Sequence, residues 1–549
     1  MGHALFLLCW LVLFGLCNLG YWEFFREKLK IDPAYYPSLS VVLTVSVLYV
    51  AGILNFLGEA SAALWLFGLL YLGKLVWRER SVKFLVFYGK PVFLILTFFT
   101  IAAFAFCYGQ VLQEYDNFTH WGTVVKQMVT ENHFPDYRDS VILFQAYMIV
   151  CFVMALFSRA KKNLAFAGAF MAIAMVFFVS VSLGLLDLRV DVVLGIATGC
   201  TLLYVYDYCL KGAGSPESWL GACYMVALSQ IKNSAMLMVL ICSGGILWEL
   251  RRDRKYTQRV LLAASPAAAW FLWRKHYGNV YAAAANSYHA MTLSNYKRTF
   301  FDNPIGKIGQ IALELLRFAF TFRKAIICAL CFLAIGLLVL RVWKQHRGLL
   351  KRAVLFSACF YGVYMFFLLA MYIFSMGTIE SEGLPSAARY TNTALFVINY
   401  VLCAVCLRMI SQAELRDKKQ LACTAALLLL LPCRMLLCGE SPVFLRWSKT
   451  ADPVRQEMRA LVSENQVPSD SQYCLLVPAD DNGLISFKLR YTLMSGAVRQ
   501  IQNAEDKDLE AITEPYVFVY DPSNPAVQAW LSDGANENTV VLTPREPTA

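Results

Sequence analysis

The segment "EYDNFTHWGTVVKQMV", Glu114 to Val129, places two acids, a histidine and a lysine within thirteen positions of a chain that is largely apolar before it. If Asp116 to Val129 is helical, Asp116, His120, Thr123 and Gln127 share one face at i, i+4, i+7 and i+11. Trp121, Val124, Val125 and Met128 then form an apolar face beside it. Such a helix would lie on a membrane surface and aim a carboxylate and an imidazole together, with Glu114 just upstream and Lys126 one turn further on. A carboxylate held this way can take a proton from a hydroxyl. The plainer reading is a solvated loop in which Asp116 caps a helix. Residues 114–129 alone support both.

Three other segments carry polarity that could join it. In "LLDLRVDVVLG", Asp187, Arg189 and Asp191 sit between two apolar runs. In "ALSQIKNSAML", Lys232 interrupts an apolar stretch, either as a hairpin tip or as a partner for phosphate. In "MYIFSMGTIESEGLPSAARYTNT", Glu380, Glu382, Arg389 and Tyr390 share a short connection. Ionisable residues at span ends often only anchor a helix. Arg389, however, stands where the next span begins, and a guanidinium fork suits phosphate oxygens at headgroup level.

These segments need elements to hold them. Of 549 residues, 58% are hydrophobic and only 16% charged, against about 25% charged in a soluble chain. A membrane crossing takes roughly 20 apolar residues, and runs of that kind occur at 4–20, 37–57, 59–77, 91–108, 140–158, 164–186, 190–209, 217–231, 233–250, 259–273, 323–343, 353–376, 391–408 and 420–438. The pair 217–231 and 233–250 reads as a hairpin or one bent segment. The expectation is an α-helical polytopic membrane protein of about 12–14 spans, with the first run retained as a span.

Basic clusters fix the expected sidedness. "RERSVK", "RAKK", "RRDRK", "RVWKQHRGLLKR" and "RDKK" should all face the cytoplasm. Segments 109–139, 187–191, 274–322, 377–390 and the tail after 438 then face outward. Residues 1–440 form the membrane domain, with outer loops 109–139, 274–322 and 377–390. In the second loop "IGKIGQIALELLRFAF" spaces Ile305, Ile308, Leu313 and Leu316 near helical period, as an interfacial amphipathic helix would.

The tail, 441–549, is expected to be a small extracytoplasmic α/β domain. The runs "YCLLVPA", "ISFKLRYTLM" and "PYVFVY" read as strands, and "PVRQEMRALVSE" as a helix. The tail carries nine Lys and Arg against fifteen Asp and Glu, a net of −6, leaving 40 against 23, or +17, for the membrane region. A basic excess among spans fits lipid headgroups and topology, and argues against nucleic acid as a partner. Sixteen of the seventeen cysteines lie at or before Cys438, almost all in or beside apolar runs, as small apolar fillers.

Acids and cations thus converge on one membrane face, and the chemistry they suit is sugar transfer from a lipid phosphate. A carboxylate deprotonates an acceptor hydroxyl, and cations neutralise the departing phosphate. No Rossmann or P-loop glycine pattern supplies a nucleotide-sugar site.

"YDNFTHWGTVVKQM", "LDLRVDVVLG" and "MGTIESEGLPSAARY" resemble, in order over roughly 91–410, segments of bacterial envelope-glycan members of the GT-C superfamily of integral-membrane glycosyltransferases. The resemblance implies an inverting transferase that takes a sugar from a polyprenyl-phosphate carrier on the outer face of the cell membrane. The acceptor would be an envelope glycan, lipid or protein. It makes Asp116 the catalytic base and Arg389 the contact to donor phosphate, with His120, Lys232 and Asp191 lining the site; Tyr390 joins the phosphate group. A common form of the motif has two adjacent acids, whereas Asn117 follows Asp116 here. Either Asp116 works alone or Glu114 completes an acid-x-acid version, which leaves a divalent metal ion as an open question and no other cofactor in view. Two alternatives stand beside this reading. A transporter or flippase of lipid-linked glycans would need charges deep within spans. A glycan polymerase or ligase of another fold would use Arg274, Lys275, His276 and His289.

Overall fold

With no water in the hydrocarbon layer, an apolar segment must close its backbone hydrogen bonds internally, and a helix does this within one segment. The computed structural model of the chain describes residues 2–54, 56–80, 147–159, 190–209, 215–232, 235–250, 256–280, 293–302, 305–320, 347–374, 387–411 and most of 452–542, with a few isolated positions between. These residues divide into two compact units, a helical one before 412 and a mixed one after 452.

In the helical unit, α1 is Gly2–Lys28, α2 Tyr36–Ile53 and α3 Leu57–Glu79. A 3-10 turn, Pro33–Tyr35, leads into α2 and is capped by the Asp32 carboxylate, which accepts from the Ala34 amide. Next come α4, Tyr147–Arg159, and α5, Asp191–Tyr204, which runs on into a π turn over Val205–Cys209. Then follow α6 (Ser215–Ile231), α7 (Ala235–Leu250), α8 (Tyr256–Val280), α9 (Leu293–Asp302), α10 (Ile305–Phe320), α11 (Arg347–Phe374) and α12 (Ala387–Ser411).

Five helices among the described residues are long and apolar enough to cross a membrane: Pro33–Ile53, Leu57–Glu79, Asp191–Cys209, Arg347–Phe374 and Arg389–Met409. Each overlaps an expected span. The pair expected at 217–231 and 233–250 is two separate helices, α6 and α7, broken around Lys232. The runs 164–186, 323–343 and 420–438, and nearly all of 91–108, lie outside the described residues.

Two glycines set the centre of this unit. Gly195 and Gly199 stand one turn apart on α5, and a Cβ at Gly195 would come 2.6 Å from Phe396 Cβ and 2.9 Å from the Thr393 carbonyl oxygen. At Gly199 it would come 2.4 Å from the Tyr400 ring. Small residues at this spacing let two helices approach closely in lipid, so α5 lies directly on α12, and the two run parallel. Tyr400 then donates from its hydroxyl to the Phe152 carbonyl at 2.8 Å, tying α4 to the same pair.

The helix expected from Ile305 is present as α10, but its inward face differs from the expected one. Ile311 and Leu315 are buried at 3% exposure each, whereas Leu313 and Leu316 are about half exposed, at 50% and 55%. Ile308, Ile311 and Leu315 follow one helical stripe, which packs on α11 and α12. Leu313 and Leu316 fall on the far side. The helix is apolar around much of its girth, and the sequence period alone picks out two stripes.

The second unit is a four-stranded, wholly parallel sheet. In it α13 is Pro453–Glu464, β1 Tyr473–Val477, α14 Leu484–Leu493, β2 Val498–Gln502, α15 Asp506–Glu510, β3 Tyr516–Tyr520, α16 Pro525–Ser532 and β4 Thr539–Leu542. The strand order is β2-β1-β3-β4. Met458 and Leu489 pack with Leu475 and Phe518 on one face, and Leu509 and Val527 pack with Leu476 and Val517 on the other. Helices therefore cover both faces, as a parallel sheet requires. "PVRQEMRALVSE" is helical as expected, and "YCLLVPA" and "PYVFVY" each contain a strand. "ISFKLRYTLM" is helix α14, not a strand. Its Ile485, Leu489 and Leu493 are buried four residues apart, a spacing that also satisfies strand alternation. Parallel pairing of β1 with β2 decides the matter, because it demands a crossover.

Candidate functional site

Asp191 is the first residue of α5, Lys232 follows the last residue of α6, and Arg389 and Tyr390 lie in the first turn of α12. Three segments far apart in sequence meet because the glycine contact holds α5 on α12 with their starts level, while α6 packs on α5. The Lys232 ammonium donates to Asp191 Oδ1 at 2.9 Å. Arg389 Nε lies 3.1 Å from Asp191 Oδ2, an ion pair rather than an aligned hydrogen bond. Tyr390 stacks beneath both cations, its ring centre 4.7 Å from Lys232 Nζ and 5.3 Å from Arg389 Cζ.

The Asp191 side chain is only 7% exposed, against 17% for Lys232 and 23% for Arg389. A lone carboxylate buried this deeply would cost several kcal/mol, which the two cations offset. The set Asp191, Lys232 and Arg389 carries a formal excess of one positive charge, and the Tyr390 face adds cation–π attraction. Such a set can meet an anion, with the acid as internal brace. No family model, curated protein or solved structure matches the chain.

Two tyrosines of α11 border the cluster and were not singled out from the sequence. Tyr364 lies within electrostatic reach of Asp191 and Tyr390, and Tyr372 within reach of Tyr390 and Arg389. Both are buried, and Phe360, Tyr364, Leu368 and Tyr372 form a stripe at every fourth residue along α11. That stripe was legible, but a tyrosine in an apolar helix reads as core until its neighbours are known.

Glu114, Asp116, His120, Lys126, Glu380 and Glu382 lie outside the described residues, as do Asp187, Arg189 and His289. Arg274, Lys275 and His276, expected in an outer loop, belong to helix α8, where Arg274 lies 5.7 Å from the Trp270 ring centre. The pair that a divalent ion would need, Glu114 and Asp116, is among the undescribed residues. Among the described residues no three carboxylate, histidine or cysteine side chains gather.

The sheet unit offers a second candidate. In parallel α/β sheets ligands bind beyond the carboxyl ends of the strands, where the strand order reverses. Here that region holds a cavity of about 420 Å³ bordered by Pro478, Asn503, Glu505, Asp506 and Asn524. The helix starts nearby are already capped. Asp481 accepts from the Gly483 and Ile485 amides at 2.9 and 2.7 Å. Glu505 and Asp508 form a reciprocal capping box, and Asn524 accepts from the Ala526 and Val527 amides. A phosphate would meet occupied amides and two acids, so the crevice is unsuited to nucleotide, in keeping with the missing glycine pattern.

Proposed function

We propose that the chain is a membrane glycosyltransferase that moves a sugar from a polyprenyl-phosphate-linked donor to an envelope glycan, lipid or protein acceptor on the outer face of the membrane. The observation that carries the reading is the meeting of Asp191, Lys232, Arg389 and Tyr390 from three separate segments at one end of the bundle. Lys232 and Arg389 hold the donor phosphate, and Asp191 positions both cations rather than meeting the substrate itself.

In the reaction, the Asp116 carboxylate takes the proton of the acceptor hydroxyl. The acceptor oxygen bonds to the anomeric carbon as the bond from that carbon to the phosphate oxygen breaks. The phosphate leaves with the electron pair, and Lys232 and Arg389 balance the charge that develops on it. Attack opposite the leaving group inverts the anomeric centre. Among the described spans the ion-paired residues Arg159, Asp191, Asp207 and Arg389 stand at helix ends, which favours surface chemistry over a charged path through the membrane.

The test is a purified-protein assay with a radiolabelled polyprenyl-phosphate sugar in vesicles, scored for glycosidic product and for lipid translocation. Glycoside should form, and Asp116→Asn should lower its rate by about 10²–10⁴-fold, the usual share of a general base. Full transfer by Asp116→Asn would remove Asp116 as the base. Movement of labelled lipid without product would overturn the transferase reading in favour of a flippase.

A further inference from the structure

Helix α9, Leu293–Asp302, has ten residues, about half of what a membrane crossing takes, and it packs on α11, which is long and apolar enough to cross. Its inward side carries Thr299, which is buried, and Phe300. The Phe300 ring stacks on that of Phe374, the last residue of α11, with ring centres 5.3 Å apart. Tyr372, two residues earlier, lies within electrostatic reach of Arg389 and Tyr390. Helix α9 therefore sits at the end of the bundle that holds the Asp191 cluster.

The outward side mixes apolar and basic residues. Leu293, Lys297 and Phe301 stand at i, i+4 and i+8, and so share one face. Leu293 is 70% exposed, Phe301 is 79% exposed, and Lys297 is exposed between them. A single exposed phenylalanine is ordinary on any protein surface. Phe301 is not isolated, however. Its ring meets Phe300 edge-on at 5.6 Å, and Phe300 meets Phe374. Phe374 is itself 38% exposed, on a helix whose outer surface also carries Phe366 and Phe367. The exposed apolar surface of a spanning helix thus continues through three rings onto α9.

We propose that α9 lies in the membrane surface at that end, with Leu293 and Phe301 in the upper acyl region of the leaflet and the Lys297 ammonium at the level of the lipid phosphates. The makeup of the face selects this partner. Leucine and phenylalanine enter the boundary between headgroups and acyl chains, while a lysine stem runs along apolar surface and lifts its charge to the headgroups. A protein seated on the same face would bury Lys297 between two apolar anchors, and lysine is depleted at the centre of protein interfaces. Water would leave the ring of Phe301 solvated beside the lipid-facing side of α11. The helix then fixes the depth of its end of the bundle and sets the Asp191 cluster near headgroup level. The inference rests on α11 crossing a membrane and not on sugar transfer.

Photo-cross-linking of the full chain in phosphatidylcholine vesicles tests it. The photoreactive residue p-benzoylphenylalanine replaces Leu293, Phe301 or, as a reference on the span, Phe366, one position at a time. After irradiation the mass added to the peptide carrying each position is read. All three positions are exposed, so the replacement displaces no packed side chain. Leu293 and Phe301 should each gain the mass of one phospholipid, as Phe366 should. A cross-link from position 301 to another segment of this chain would show that protein covers the face. Lipid on position 366 with none on 293 or 301 would place α9 in water. Lipid on none of the three would remove the span on which α9 packs. Each of these results would overturn the proposal, and none of them depends on glycoside formation.

Discussion

In the sheet unit Asp481, Glu505 and Asn524 turn back onto amides of their own helix starts, whereas in the bundle Asp191 reaches across to cations from two other elements. The first arrangement is local and could form as each helix forms. The second exists only once α5, α6 and α12 have packed. A capping acid is expected wherever a helix begins near a sheet, and it signals no ligand. An acid buried between two cations at a bundle end is costly to assemble, and the set carries one more positive than negative charge. The contrast separates polarity satisfied within one helix start from polarity that only the packed bundle brings together.

The comparison breaks most sharply at the brace. Asp191→Ala leaves Lys232 and Arg389 close together without their carboxylate, a loss of about 3–5 kcal/mol for a broken buried pair. It should lower the thermal inactivation midpoint markedly and abolish donor binding. A smaller effect is expected at the helix contact. Gly199→Ala sets a methyl against the Tyr400 ring, at a cost of about 1–3 kcal/mol for overpacking. By parting α5 from α12 it should also weaken donor binding, although Gly199 stands two turns from Asp191 along the same helix. A change in melting without a change in donor affinity would show that the cluster does not depend on that contact.

On the other side of the comparison, Asp481→Ala removes a cap and should cost about 0.5–2 kcal/mol, read as faster amide exchange in β1 and α14 of the full chain. Donor affinity should stay at the wild-type value. A drop in affinity would mean that the sheet unit takes part in the site.

The smallest effect concerns pH. Burial pushes the Glu514 carboxyl up, but the hydrogen bonds from Arg499 outweigh it and hold the group below the ordinary carboxylate range. A folded-state value below the unfolded one of about 4.3 means that the pair stabilises above that pH. Its contribution is lost as pH falls through the folded value. Arg499→Gln should therefore narrow the stability difference between about pH 5 and pH 3, measured by exchange in β2 and β3.

Much of this division was legible in the sequence. Asp191, Lys232 and Arg389 stood out because each interrupts or borders an apolar run, where an ionisable side chain is expensive. Their meeting was not legible, since it depends on α5 and α12 running parallel through Gly195 and Gly199. The sheet was harder. "ISFKLRYTLM" fits periods of two and of four alike, and β2 and β4, at the two edges of the sheet, are short; "VRQIQ" in β2 offers only Val498 and Ile501 as apolar residues. The stripe on α10 misled in the opposite way, because too many apolar residues surround it for the pattern to choose a side.

The central claim is that the Asp191 cluster is the donor-phosphate site, and equilibrium binding tests it most directly. A non-hydrolysable polyprenyl-phosphate sugar analogue is titrated against the purified wild type and the Lys232→Gln, Arg389→Gln and double variants, with circular dichroism confirming helix content. The account predicts that each single variant weakens binding by about tenfold or more, as expected for one charge-assisted hydrogen bond, and that the double variant loses it. Wild-type affinity in the double variant, with helix content intact, would contradict it.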